Sequence, residues 1–313
     1  MEGHIVRARL SEHDAYRPAP RPVPRDAGGL SRRALLGLSR TKLGHASVDL
    51  DRLTERLAAA WDGEARTALL RAIEPVAEVV ADRAGVAAGT RVLDVGAGDG
   101  NLALACATRG ARVEACDPSA AMIRRGRART GMAVAWRRAD AQALPYADDS
   151  FDVVVSAFGA AQAPRPRRTA RELARVCRPG GQVVLAAWVP RGLPGRLPEL
   201  VDAVDPLPEG VPAPGAWGRA DRAEARLAPH VEQLETRTCV VALSFQSADG
   251  CFDALTPSTL DEDQRAALRP GFERLLASAN NRPPAVELDA RYLLVSGVVK
   301  PPERQAAAPQ ADR

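Results

Sequence analysis

The chain has 313 residues, 46% hydrophobic and 26% charged, a composition that excludes wholesale disorder. No run of about 18 apolar residues occurs, which excludes a membrane-spanning helix. The net charge of +4 raises nucleic acid as a partner, yet only Lys42 and Lys300 of the 43 basic residues are lysine, a bias that also fits a GC-rich genome.

Residues 1–45 come first and lack periodicity. Pro18, Pro20, Pro22 and Pro24 alternate there, so an extended, disordered Arg/Pro-rich extension is expected. Ser31-Arg32-Arg33 resembles the start of a twin-arginine export signal, but Arg40 and Lys42 break the following apolar run too early for one. The expected location is therefore cytoplasmic. This stretch holds nine Lys/Arg and four Asp/Glu, a net of +5, so the rest of the chain is nearly neutral. Neither a nucleic acid nor a membrane partner is expected for that body. Five cysteines at 106, 116, 177, 239 and 251, odd in number and without a C-x-x-C, read as reduced core thiols.

Between 48 and 84 the apolar residues recur at helical steps: Leu50, Leu53, Leu57, Ala60 and Trp61, then Leu69, Leu70, Ile73, Val76, Val79 and Val80. Pro75 marks a first turn or kink between two helices. From 90 to 188 short apolar runs alternate with helical stretches. Strands are predicted at 91–95, 112–116, 133–136, 151–157 and 182–188, and helices at 101–109, 120–129 and 167–177. That alternation predicts an α/β fold with a parallel, doubly wound sheet. Residues 189–218 are rich in Pro and Gly and read as irregular. A short helix is predicted at 219–227 and a longer one at 260–279, with β-like segments at 232–245 and 286–299.

The chemistry is concentrated in Val92-Leu93-Asp94-Val95-Gly96-Ala97-Gly98-Asp99-Gly100-Asn101, a buried strand running through a glycine-rich turn into a helix. A dinucleotide fingerprint would need its third small residue at 101, where this chain has Asn. A P-loop would need Gly-Lys-Ser/Thr, which is absent. Asp94, two residues before the first glycine, would repel a pyrophosphate and suits a cationic group such as an ammonium or sulfonium. Asp117 closes the second strand and can accept from two ribose hydroxyls. Asp140 follows the third strand and can accept from an adenine amino group. All three acids sit at successive strand carboxyl ends, where open α/β sheets bind ligands.

With these residues the chain resembles the class I S-adenosylmethionine-dependent methyltransferases, in the broad group that includes the ubiquinone/menaquinone C-methyltransferases. The matching stretches are VLDVGAGDGNLAL, VEACDPSAAM, ADAQALPYADDSFDVVVSAFG and ELARVCRPGGQVVLAAW, covering about 91–188. The resemblance implies a Rossmann-like, seven-stranded, doubly wound sheet with a reversed C-terminal β-hairpin, for which 232–245 and 286–299 are the candidates. It implies S-adenosyl-L-methionine as methyl donor and no metal. Asp94, Gly96, Ala97, Gly98 and Gly100 would hold the methionine end; Asp117 and Pro118 would meet the ribose; Met122, Asp140, Ala141 and Gln142 would surround the adenine; Ser156 and Phe158 would lie near the transferred methyl. The expected organisation is one domain over 46–300: helices covering the cofactor at 46–89, a cofactor-binding core at 90–188, an acceptor lid with late strands at 189–285 and a final strand at 286–300. A tail follows from 301.

Ser156-Ala157-Phe158-Gly159 stands where base-amine methyltransferases carry an Asn/Asp-Pro-Pro-Tyr/Phe tetrad, and it offers no acid for a metal. The acceptor expected is a small, apolar or aromatic metabolite, methylated by in-line displacement in a monomer or homodimer. The alternatives are a quinone-type C-methyltransferase, from which Ala160–Pro166 departs, and a non-catalytic regulator that binds the same cofactor. No catalytic residue is identified. His45 and His230 are weak candidates for a base, and Trp188, Trp217, Phe245 and Phe252 are read as core residues able to line an apolar pocket.

Overall fold

The computed structural model describes residues 49–212, 216–280 and 283–301. The extension 1–45, the residues after 301, and His4, His13 and His45 lie outside the described residues, so the expectations for them stay as stated. Three helices open the described chain: α1 (Leu50–Ala59), α2 (Arg66–Ala72) and α3 (Glu74–Arg83), with Pro75 in the first turn of α3. The alternating part follows as β1 (Arg91–Val95), α4 (Asn101–Thr108), β2 (Arg112–Asp117), α5 (Ala120–Thr130), β3 (Val134–Arg138), β4 (Phe151–Ala157), α6 (Pro166–Val176) and β5 (Cys177–Trp188). The remainder is α7 (Gly192–Asp202), α8 (Ala220–Leu227), β6 (Val231–Phe245), α9 (Ala248–Leu255), α10 (Glu262–Ala279) and β7 (Val286–Val299).

The seven strands form one sheet in the order β3-β2-β1-β4-β5-β7-β6. The first five run parallel, and β7 is antiparallel to both its neighbours, β5 and β6. Val92, Leu93 and Val95 of β1, like Val153, Val154 and Val155 of β4, are all buried, because helices cover both faces of these central strands. One core joins α3, α4 and α5 to the sheet and continues through α7, α9 and α10; a second lies under α6 and α8. The strand order reverses between β1 and β4, and a cleft opens outside the carboxyl ends of two such neighbours.

Two helices, α7 and α9, were not predicted from the sequence. Helix α7 forms in the Pro/Gly-rich segment: Pro194 sits in its first turn, Leu193 and Leu197 are buried, and Gly195 lets the helix lie against the Val189 carbonyl. The expected terminal hairpin is the β6–β7 pair, in register from Val231↔Val299 to Phe245↔Val286. Its connection contains the predicted long helix, as α10, preceded by α9. All five cysteines are buried and unpaired, and burial pushes their thiol pKa values up.

Candidate active site

A cavity of about 1120 Å³, part of it open to solvent, lies over the carboxyl ends of β1–β5. Asp94, next to last in β1, is fully inaccessible to solvent, with neither carboxylate oxygen in a formed hydrogen bond. Burial pushes its pKa up to about 8; the Ala103 amide pulls it down and Asp117 pushes it further up. An orphaned carboxylate in the wall of a mostly apolar cleft fits a cationic ligand group, which would supply the missing partner.

The turn after β1 brings two backbones together. Gly96 has φ 67°, and a Cβ there would stand 2.7 Å from the Gly159 Cα, so only glycine satisfies both conditions. Asp117 is held from behind: Oδ2 accepts from the Gly98 amide (2.9 Å) and Oδ1 from the Ser119 amide (2.8 Å). Burial nevertheless pushes its pKa up to about 6, with Asp62 adding to the push. Each oxygen keeps a second lone pair for a hydroxyl donor. Asp140 takes the Gln142 amide on Oδ1 (2.9 Å) and the Gln142 side chain on both oxygens.

Of the residues singled out in the sequence, Asp94, Gly96, Ala97, Gly98 and Asp117 line the cavity. So do Pro118, Met122, Asp140, Ala141 and Phe158. Three others stand behind its wall. Gly100 begins α4 at φ 93°, and its missing side chain makes room for Trp136. Gln142 braces Asp140 and reaches the Thr54 hydroxyl on α1 (3.1 Å). Ser156 donates to the Val95 carbonyl (2.7 Å) and accepts from the Ala160 amide (2.9 Å), tying β4 to β1 beneath the site. Its side chain therefore braces the two strands and does not line the cavity.

The cleft is closed by α1, α2 and the start of α3, within the segment 46–89 expected to cover the cofactor, through Leu57, Trp61, Leu70 and Ile73; among the described residues none of 189–285 lines it. The late segment instead backs this cover. Arg66 is buried, and its guanidinium donates to the carbonyls of Ala60, Ala254 and Leu255, joining the end of α1 to the end of α9. It also lies over the Trp61 ring at 4.4 Å. Asn101, at the position that excluded a dinucleotide fingerprint, donates to the Leu70 carbonyl (2.7 Å) and so ties α2 to the glycine-rich turn.

Phe158, in the left-handed region at φ 69°, stacks on Trp188 with centroids 4.0 Å apart. Trp188 thus faces the cleft, whereas Trp217, Phe245 and Phe252 are buried away from it. His230 lies in the turn before β6, outside the cavity, and burial, Arg171 and Lys300 lower its pKa. That position removes it as a base for this cleft.

Comparison with known proteins agrees with this geometry. Residues 93–185 match the model of a methyltransferase domain. An uncharacterised protein of Mycobacterium tuberculosis is 38% identical over 186 residues, covering 58% of this chain and 68% of that protein. A demethylmenaquinone methyltransferase of Clavibacter sepedonicus is 39% identical over 140 residues, covering 44% of this chain and 53% of that enzyme. Among solved structures, a candidate methyltransferase of Bacillus halodurans has the same fold, with a TM-score of 0.53 and 18% identity over 72% of this chain and 98% of that one. An orphaned acid beside a glycine-rich turn, at the switch point of this seven-stranded sheet and within the matched domain, places the chain in the class I S-adenosylmethionine-dependent methyltransferases, with S-adenosylmethionine as methyl donor.

Proposed function

We propose that the enzyme methylates a small, uncharged acceptor with a flat apolar or aromatic body. The observation that carries this reading is the chemistry of the cleft beyond β1. Leu70, Ile73 and Ala77 from the cover face Ala157 and Phe158 at the end of β4 and Trp188 at the end of β5, and none of them is charged. Adjacent strands are about 4.8 Å apart, so the acids of β3, β2 and β1 and the apolar ends of β4 and β5 divide a cleft roughly 19 Å long. The acidic half suits the adenosine and methionine ends of the donor, and the apolar half suits the acceptor.

When bound, S-adenosylmethionine supplies an electrophilic methyl group on a sulfonium. The residues of this chain position and dehydrate the reactants. Asp117 holds two neighbouring hydroxyls and Asp94 balances positive charge. The cover excludes water, and the Phe158–Trp188 stack orients a planar acceptor. A quinone-type acceptor is the second reading, favoured by the demethylmenaquinone methyltransferase among the relatives and by the same flat wall.

Three expected results test the reading. Asp117→Ala raises the dissociation constant of S-adenosylhomocysteine about a hundredfold by calorimetry, the loss of about 3 kcal/mol from two charge-assisted hydrogen bonds; unchanged affinity removes the ribose assignment. Trp188→Ala raises the KM for the acceptor at least tenfold and moves S-adenosylhomocysteine affinity less than threefold. That experiment needs turnover, found by screening phenols, quinols and other flat acceptors with a labelled methyl donor. Binding of donor without turnover on any of them favours the regulator instead.

The third result concerns pH. Asp94 has a folded pKa raised to about 8, so the folded chain alone holds a proton that the unfolded chain has lost above about pH 4. This contribution to the stability of the free protein is present below pH 4 and is lost as the pH rises to about 8. A cationic donor favours the ionised carboxylate, so binding below pH 8 expels the proton and tightens as the pH rises from 6 to 8. Calorimetry in two buffers of different ionisation heat reads this proton release directly, and Asp94→Asn abolishes it.

A further inference from the structure

The opposite side of the sheet carries a second arrangement that methyl transfer does not use. Arg167 and Arg171 lie one turn apart on α6, and Arg222 and Arg226 one turn apart on α8, which packs against it. Burial, Arg222 and Arg167 lower the Arg226 pKa while Asp221 raises it, and burial, Arg171 and Lys300 lower that of His230, so these cations lie close enough to repel one another. Like charges at this helical spacing destabilise the helix that carries them.

The acids that could neutralise the cluster are engaged elsewhere or shared. Glu172 is tied to Arg175 and the Leu144 amide, and Glu224 accepts from the Thr236 hydroxyl. Asp221 pairs with Arg219 at 3.2 Å and reaches Arg222 only at 3.8 Å. Among the described residues, Arg167, Arg171 and Arg226 have no carboxylate partner. The first turn of α6, the positive end of that helix dipole, carries Arg167 and Arg168 and no acid.

A second, independent observation concerns donors. The Nη1 of Arg226 is buried without an acceptor, its guanidinium lies over the Trp217 ring at 5.1 Å, and the Trp217 Nε1 is likewise buried and unpartnered. A buried guanidinium nitrogen without an acceptor is costly. Cations concentrated on two helices, with donors in excess, match a ligand that is compact, multiply anionic and rich in acceptor oxygens. Guanidinium forks fit phosphate oxygens in pairs.

We propose that the α6–α8 face binds a pyrophosphoryl group, free or carried on a small metabolite, at a site separate from the methyl-transfer cleft. None of Arg167, Arg171, Arg222, Arg226, His230 or Lys300 lines that cleft. The test is calorimetric titration of inorganic pyrophosphate into the full chain saturated with S-adenosylhomocysteine, at constant ionic strength set with chloride. The expected result is saturable one-to-one binding, weakened at least tenfold in Arg167→Gln/Arg171→Gln, whose replaced side chains are exposed. S-adenosylhomocysteine affinity stays unchanged in that variant, which shows that it folds. A parallel titration with ADP separates the sources: equal affinity means that the phosphates alone are read, and tighter ADP binding means a nucleotide carrier. Absence of saturable pyrophosphate binding, or equal affinity in the wild type and the double variant, overturns the proposal. So does a short DNA duplex that binds through these arginines while pyrophosphate does not.

Discussion

Gly159→Ala is expected to abolish measurable S-adenosylhomocysteine binding and to lower the stability of the fold by about 3 kcal/mol. Gly159 has an ordinary backbone conformation, φ −66°, so the effect owes nothing to left-handed geometry. It comes from contact: a Cβ at this position would stand 2.1 Å from the Gly96 carbonyl oxygen and 2.7 Å from the Gly96 Cα. Both partners are backbone, so no side-chain rotation relieves the overlap. Either the turn after β1 or the turn after β4 must move, and those two turns together form the floor of the cleft. A suitable control is Gly85→Ala, at φ 63° with nothing within 4 Å of the added carbon. That control costs about 1 kcal/mol of local strain and leaves ligand affinity intact. Urea unfolding and calorimetry compare the two. A Gly159→Ala protein within 1 kcal/mol of wild type that still binds S-adenosylhomocysteine normally would falsify the close-approach argument.

Arg66→Met carries the second large effect, about 4 kcal/mol of stability together with loosening of the cover. The buried guanidinium satisfies carbonyls at the ends of α1 and α9, and methionine leaves Ala60, Ala254 and Leu255 without that donor. Burial and Arg265 lower its pKa to about 10, so it remains charged at neutral pH and keeps its donors. Trp61 also loses the cation over its ring, so its fluorescence reports the change. Limited proteolysis should cut between α1 and α2 in the variant and spare the wild type. Arg66→Lys keeps the charge but not the planar fork, and should recover less than half of the lost stability. If Arg66→Met melts like wild type, the cover is held by packing alone.

Residues 189–285 offer an instructive contrast. They were expected to form an acceptor lid, yet among the described residues they back the cover from behind, through the carbonyls that Arg66 holds, through Asp205, which pairs with Arg56 of α1, and through Ser258, whose hydroxyl donates to the Ala59 and Ala60 carbonyls. Only their packing separates the surface that faces ligand from the surface that supports it.

Local patterns by themselves determined the alternating strands and helices from 90 to 188, the glycine-rich turn, and Asp94, Asp117 and Asp140 at successive strand ends. Each of these is written within a few neighbouring residues, where period, turn chemistry and charge act. Asn101 against a dinucleotide fingerprint and Asp94 against a pyrophosphate were equally local. The tertiary structure alone decided that Ser156, Gln142 and Gly100 brace the site from behind, while Trp61, Leu70, Ile73 and Trp188 face into it. It also decided that α7 is helical despite its prolines, and that Arg167, Arg171, Arg222, Arg226 and Lys300, from α6, α8 and the end of β7, lie on one face beside His230. These facts depend on which distant segments touch, and contacts between residues 60 to 200 positions apart leave no periodic trace along the chain. The charge shows the same division. Outside residues 1–45 the chain is nearly neutral by count, and only the fold separates that balance into a cationic face between two helices.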